Sequence, residues 1–473
     1  MDTSTLSQPS TGASAIESLL KEQRAFFYSG QTLPLSFRKK QLLQLKKALQ
    51  ENEAAIYEAL KQDFQKSPFE TFVTEIAVLV SEIDFVLKHI DEWAAPKRVA
   101  SSLLNFPSSD YVYPQPFGLC LIIGAWNYPL HLTIAPAIPA IAAGNCVVLK
   151  PSELSPHTSA LIKQLTARYF DPRFMTTVEG GVEVSQKLLE QAWDKIFFTG
   201  STRVGKIVME AAAKHLTPVV LELGGKSPAV VDATANIEMA AKRIVWGKMV
   251  NAGQTCVAPD FVLVHEEVKE LFLHHLTKYI KEFYGEEPEL SPDFPRIVNS
   301  RHFERLSKLL ERTKGRIVLG GQTDATQLYI APTVVSGVDW QDALMEEELF
   351  GPILPVLTFT DIYEVMHRLQ QMPHPLAMYI FTNDKKTEQL LIERVPFGGG
   401  CVNDVVVHLA NHHLPFGGIG PSGMGNYHGK YGFDAFTHYK AIVKHATWLD
   451  VPIRYAPYEG KLSMVKKLVK WIL

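Results

Sequence analysis

Short apolar runs alternate with segments of helical periodicity over residues 118–223, and this alternation limits the chain to very few architectures. Leu119-Cys-Leu-Ile-Ile123, closed by Gly124, reads as a buried strand. Cys146–Leu149, Met175–Val178, Lys195–Phe198 and Val219–Leu223 read the same way. Helical patterns separate them at Pro156–Phe170, Val184–Ala192 and Arg203–Leu216. The apolar stretch holding Pro136 and Pro139 is a further helix, with its prolines near the start or at a kink. Strand and helix in strict alternation imply a parallel, doubly wound sheet. A second alternating block spans about 228–410, with a strand at Phe261–Val264, helices at Glu267–Phe283 and Arg301–Thr313, and a strand at Pro355–Thr358.

Residues 15–94 precede these blocks and carry helical spacing, as in Phe72, Ile76, Leu79, Ile83 and Leu87. The 473 residues suffice for two or three domains. A net charge of −3 gives no reason to expect nucleic acid as a partner. Four cysteines (Cys120, Cys146, Cys256 and Cys401) fit neither a disulfide framework nor a zinc site, so a cytoplasmic location is expected. Residues 1–14 have no basic or apolar signal region and read as a flexible tail. No run reaches the ~18 apolar residues of a membrane span.

Two glycine-rich stretches compete as cofactor sites. Gly418-Ile-Gly420-Pro-Ser-Gly423 matches G-x-G-x-x-G literally but lacks a strand before it and a helix after it, so it reads as a loop. Thr199-Gly200-Ser201-Thr202 instead joins a strand to a helix, whose N-terminus offers free N–H groups to a pyrophosphate. Lys150-Pro-Ser-Glu153 ends another strand, where open α/β sheets bind nucleotides. A plain turn with a helix cap is the alternative at both places.

Cys256 sits in the polar context Gly253-Gln-Thr-Cys256, unlike Cys120 and Cys146, which lie in strand runs. A thiolate is a strong nucleophile but needs help to ionise. Glu222 lies near the end of a buried strand, where burial would raise its pKa and suit it to deprotonate water; a salt bridge to Lys226 is the alternative. The Asn127 amide can donate to an oxyanion, or simply satisfy a turn. Glu348, before Phe350-Gly-Pro352, can bind a ribose or lie on a solvated face. His408, His412 and His413 cluster without an acidic residue nearby in sequence, and no metal is expected there.

In order along the chain, Trp126-Asn127-Tyr128-Pro, Lys150-Pro-Ser-Glu153, Phe198-Thr-Gly-Ser201, Glu222-Leu-Gly-Gly, Gly253-Gln-Thr-Cys256, Glu348-Leu-Phe350-Gly-Pro and Pro415-Phe-Gly-Gly resemble the aldehyde dehydrogenase superfamily, over roughly 15–445. Asn403-Asp404-Val-Val-Val-His408 and Gly425-Asn-Tyr-His-Gly-Lys430 resemble its class 3 branch, which acts on medium- to long-chain aliphatic and aromatic aldehydes with NAD or NADP. The resemblance implies catalytic roles for Cys256, Glu222 and Asn127. It implies cofactor contacts from Ile123, Trp126, Lys150, Glu153, Gly200, Ser201, Val204, Leu223, Gly224, Glu348 and Phe350, and substrate contacts from Tyr128 and His428.

The fold it implies is α/β. A Rossmann-like cofactor domain (15–97 with 118–223) joins a catalytic domain (224–412) and a small β element (98–117 with 430–447) that bridges a homodimer. Residues 448–473 form a basic amphipathic tail, with Leu462, Val465, Leu468, Val469 and Ile472 on one helical face. That face can pack on the protein, at the substrate entrance or the dimer partner, or lie on an anionic membrane.

Overall fold

The computed structural model describes residues 13–102 and 105–472. The tail expected at 1–14 lies outside them except for Ala13 and Ser14, which open the Ala13–Tyr28 helix instead of belonging to a tail. Helices Leu35–Glu51, Glu53–Phe64 and Val78–Trp93 follow, burying Leu42, Leu45, Leu49, Ile83 and Ile90 on their apolar faces. The pattern through Phe72 and Ile76 is not plain α-helix: Phe72–Ala77 forms a π-helical turn.

Six strands make the first sheet, in the order Gly423–Met424, Val219–Glu222, Lys195–Thr199, Leu119–Ile123, Cys146–Lys150, Met175–Thr177. The last five are mutually parallel, and the first is antiparallel to Val219–Glu222. Leu119–Ile123 and Cys146–Lys150 are fully buried, which explains their unbroken apolar sequence. The proline-bearing segment splits into helices Pro129–Ile134 and Ala137–Ala143, with Pro136 between them.

The second sheet has seven strands: Arg316–Leu319, Thr333–Ser336, Ile353–Phe359, Phe261–His265, Pro228–Val231, Ala377–Phe381 and Gly399–Val402. Only the first pair is antiparallel. A third sheet joins Lys97–Val99, Ser108–Pro116 and Thr437–His445. Its nine-residue Thr437–His445 strand is an edge, exposed along nearly its whole length.

The literal G-x-G-x-x-G does lie in a loop, ending in the short Gly423–Met424 strand. The C-terminal helix spans Leu462–Ile472, with Leu462, Met464, Lys466, Lys467 and Lys470 exposed. The side chains of Leu468 and Ile472 lie outside what the structure describes. Among the described residues, no helix is long and apolar enough to cross a membrane.

Candidate active site

Strand register builds one side of the site. Ile123 pairs with Lys150 on one neighbour and Phe198 on the other, and Thr199 pairs with Glu222. Ile123, Lys150, Thr199 and Glu222 therefore end their strands along one edge of the parallel sheet. Ligands of open α/β sheets bind at this carboxyl edge. Ser201 opens the Thr202–Ala213 helix, its Oγ accepting the Val204 N–H at 3.4 Å. Leu223 packs where a side chain on Gly205 would have to sit. Lys150 is buried, and its Nζ donates to Pro151 O at 2.8 Å and to Glu153 at 3.2 Å. The Glu153 side chain is 41% exposed, so the pair presents a carboxylate to solvent.

The cysteine loop builds the other side. Asn251, Ala252 and Gly253 all adopt left-handed backbone, at φ 53°, 51° and 75°. Glycine is required at the third: a Cβ on Gly253 would stand 2.3 Å from Gly351 O. The buried Gln254 amide locks the loop, donating to Asn251 O and Arg296 O at 3.0 Å each and accepting the Val298 N–H at 2.9 Å. Asn127 Nδ2 donates to Gln254 O at 3.0 Å, and Asn251 Nδ2 donates to Asn127 O at 2.7 Å. Tyr128 and Thr255 share a hydroxyl hydrogen bond of 2.6 Å. Asn127 and Tyr128 are thereby tied to the two residues before Cys256.

Electrostatics separate the charged groups. Burial pushes the Cys256 thiol up to about 12, and the carboxylates of Glu348 and Glu222 add to the rise. Burial also holds Glu222 well above the usual carboxylate range. Among the described residues, neither Glu222 oxygen has a hydrogen-bond partner. The salt bridge considered for Lys226 goes elsewhere: its Nζ lies 2.5 Å from Asp260 and also donates to Leu344 O and Glu347 O. Asp260 in turn accepts the Leu349 N–H at 2.8 Å, which fixes the Glu348 loop. Burial pushes Glu348 up to about 8. Its carboxylate approaches Gly224 so closely that a Cβ there would clash at 2.3 Å. Trp126 stands edge-on to Phe350, their ring centres 5.2 Å apart.

His428 belongs to a different group. It stacks on Phe416 and, with Glu82, His131 and His412, lines a cavity of about 210 Å³. The histidine cluster is not without an acid, as sequence proximity suggested: Glu82, from a distant helix, lies 2.5 Å from His412 Nδ1. Among the described residues, no group of three or more potential ligands could hold a metal. Sequence reasoning assigned no role to Asn251 or Gln254; the polar Asn-Ala-Gly-Gln run was the available signal. Asp260 and Lys248 left no local signal.

The carboxyl edge of the parallel sheet thus brings a cysteine, an amide and a buried carboxylate together. The aldehyde dehydrogenase family model matches residues 2–442, and the chain belongs to that family of aldehyde-oxidising enzymes. It is 46% identical to the 4,4'-diaponeurosporen-aldehyde dehydrogenase of Staphylococcus aureus, over 96% of this chain and 99% of that protein. It is 46% identical to aldehyde dehydrogenase family 3 member H1 of Arabidopsis thaliana, over 97% and 96%. The solved substrate-bound state of Staphylococcus aureus AldH superposes with TM-score 0.94 at 46% identity, covering 96% of this chain and 99% of that one. An indole-3-acetaldehyde dehydrogenase solved with NAD⁺ superposes with TM-score 0.84 at 26% identity, covering 92% and 89%.

Proposed function

We propose that this enzyme oxidises medium- to long-chain aliphatic or aromatic aldehydes to carboxylic acids with NAD or NADP, by covalent catalysis at Cys256. The observation that carries this reading is Glu222: a buried carboxylate with both oxygens unpaired, close enough for its charge to act on the thiol. A water-activating base needs such a raised, unengaged group. Hydrolysis of a thioester by water needs this base.

The residues at the sheet edge fit a dinucleotide. Thr199 Oγ1 is buried there without a protein partner. Lys150 and Glu153 would hold the adenine ribose, Glu348 the nicotinamide ribose, and the Gly200–Ser201 turn the pyrophosphate. Ile123, Trp126, Val204, Leu223, Gly224 and Phe350 would wall the cofactor. When bound, the oxidised nicotinamide supplies a hydride acceptor and a positive charge.

Cys256 Sγ attacks the aldehyde carbonyl carbon, and the thiol proton passes to water, leaving Glu222 unprotonated for the later step. The Asn127 amide and the Cys256 N–H donate to the oxygen as it gains charge. After oxidation the acyl group is a thioester on Cys256. Glu222 takes a proton from the water that attacks it, the C–S bond breaks, and the acid leaves. Tyr128 and His428 would meet the substrate, with the cavity beside His428 taking the apolar tail. Glu153 would repel a 2′-phosphate and so favour NAD. The exposed Thr437–His445 edge suits pairing with a second copy in a homodimer. The C-terminal helix offers exposed lysines and apolar residues to an anionic membrane or to protein.

The test is reduced-cofactor formation by the purified protein without CoA. The aldehydes are a medium-chain aliphatic one, an aromatic one and 4,4'-diaponeurosporen-aldehyde, each with NAD⁺ and with NADP⁺. Turnover is expected, and Cys256→Ala should remove it by on the order of 10⁴-fold or more. Turnover that appears only when CoA is added would overturn the hydrolytic reading.

A further inference from the structure

Glu70 and Glu75 lie five residues apart. On a regular α-helix that spacing turns a side chain by about 140°, so the two carboxylates would diverge. The chain is not regular here: Pro68–Thr71 runs into the π-helical turn Phe72–Ala77. A π turn bonds residues five apart and so carries them toward one face.

Both carboxylates reach backbone of the active site. Glu70 Oε1 accepts the Asn251 N–H at 2.9 Å, at the start of the left-handed stretch that leads to Cys256. Glu75 Oε2 accepts the His131 N–H at 2.9 Å, in the helix that follows Asn127 and Tyr128. Lys66 joins them: its buried Nζ is 3.1 Å from Glu75 Oε1 and 4.3 Å from the centre of the Tyr128 ring. That tyrosine bonds Thr255, the neighbour of Cys256. Burial pushes both carboxyls up, while the Lys66 charge draws them down. Apolar side chains of similar volume would stabilise the fold as well as this buried set. They would not supply acceptors to two backbone N–H groups on opposite sides of the nucleophile.

We propose that the π-helical segment is a clamp, and that Lys66, Glu70 and Glu75 are positioning residues holding the Asn127–Tyr128 turn against the Asn251–Cys256 loop. A misplacement of about 1 Å between nucleophile and oxyanion donor costs up to ~100-fold in rate.

The experiment compares Glu70→Ala, Glu70→Asp and Glu70→Gln in the full-length enzyme; Asp is one methylene short of the Asn251 N–H. The readouts are kcat, aldehyde KM, cofactor affinity and the rate of Cys256 alkylation by iodoacetamide. Glu70→Ala and Glu70→Asp are expected to lower kcat about 10- to 100-fold with KM and cofactor affinity unchanged. Glu70→Gln should recover most of it, because an amide oxygen still accepts the Asn251 N–H. Should Glu70→Ala fail to fold, Glu70→Asp against Glu70→Gln decides alone. A lower melting temperature with unchanged kcat and alkylation would overturn the clamp. The kinetic arm rests on the aldehyde-oxidising reading; alkylation needs no turnover, so a wild type that reacts normally with iodoacetamide but oxidises nothing would fault that reading and not the clamp.

Discussion

Two kinds of buried charge lie in this part of the protein, and they are built on opposite rules. In the set at Lys66 and Glu75, and again at Lys226 and Asp260, each ammonium meets a carboxylate and the spare acceptors take backbone N–H groups. Elsewhere the reverse holds. Among the described residues, Glu222 beside Cys256 has no hydrogen-bond partner on either oxygen, and the Lys248 ammonium nitrogen, near Asp260 and Glu348, has none either. An unpaired buried polar group costs several kcal/mol. The difference teaches where to look for chemistry: a protein keeps such a group where a substrate, water or cofactor will engage it.

The sharpest way to break this comparison is Glu222→Gln. If the unpaired carboxylate is the hydrolytic base, steady-state turnover should fall about 10²- to 10⁴-fold. A single burst of reduced cofactor should survive, because Cys256 can still form the thioester. In the wild type the base works only when ionised. Its raised pKa therefore predicts that kcat declines as pH falls, from a value well above that of an ordinary carboxylate. Burst and steady-state rates measured by stopped flow across pH would decide; loss of the burst along with turnover would place Glu222 before hydride removal.

The paired set answers to a stability measurement. Lys226→Met leaves Asp260 buried without its cation and should cost about 3–5 kcal/mol. Lys248→Met removes an amine that already lacks a partner, and should leave stability unchanged or raised. Denaturant midpoints of the two variants test the contrast directly. Equal losses would mean that Lys248 is paired through its charge to Asp260 and Glu348, and that the division into paired and unpaired groups is drawn in the wrong place.

Much of this arrangement was legible in the sequence, and the parts that were not have two causes. Alternation of apolar runs fixed the parallel sheet, because buried strands need no polar face. The strand ends near Ile123, Lys150 and Glu222 followed from it to within a residue, since each run stops at or beside a polar or glycine residue. Partners far apart in the chain were invisible. Nothing near Lys226 names Asp260, and nothing near His412 names Glu82. The π turn was hidden for another reason: Phe72, Ile76, Leu79 and Ile83 keep an ordinary helical spacing, and one extra residue in a turn barely disturbs it.

Glu348 tests the comparison most finely, because it lies between the two groups, near Lys226 yet not bonded to it. Burial raises its pKa from 4.5 to about 8 in the protein without cofactor. A carboxyl raised on folding favours the neutral form, so its contribution to stability is full below about 4.5 and is lost as pH rises through about 8. Ribose hydroxyls donate best to the ionised form, so cofactor affinity should rise over the same window. Glu348→Gln should flatten both trends, leaving a weaker affinity that no longer depends on pH there. Isothermal titration of NAD⁺ and melting curves across that range measure the two together. A pH trend in affinity that survives in Glu348→Gln would move the titrating group elsewhere and leave Glu348 on the paired, structural side of the comparison.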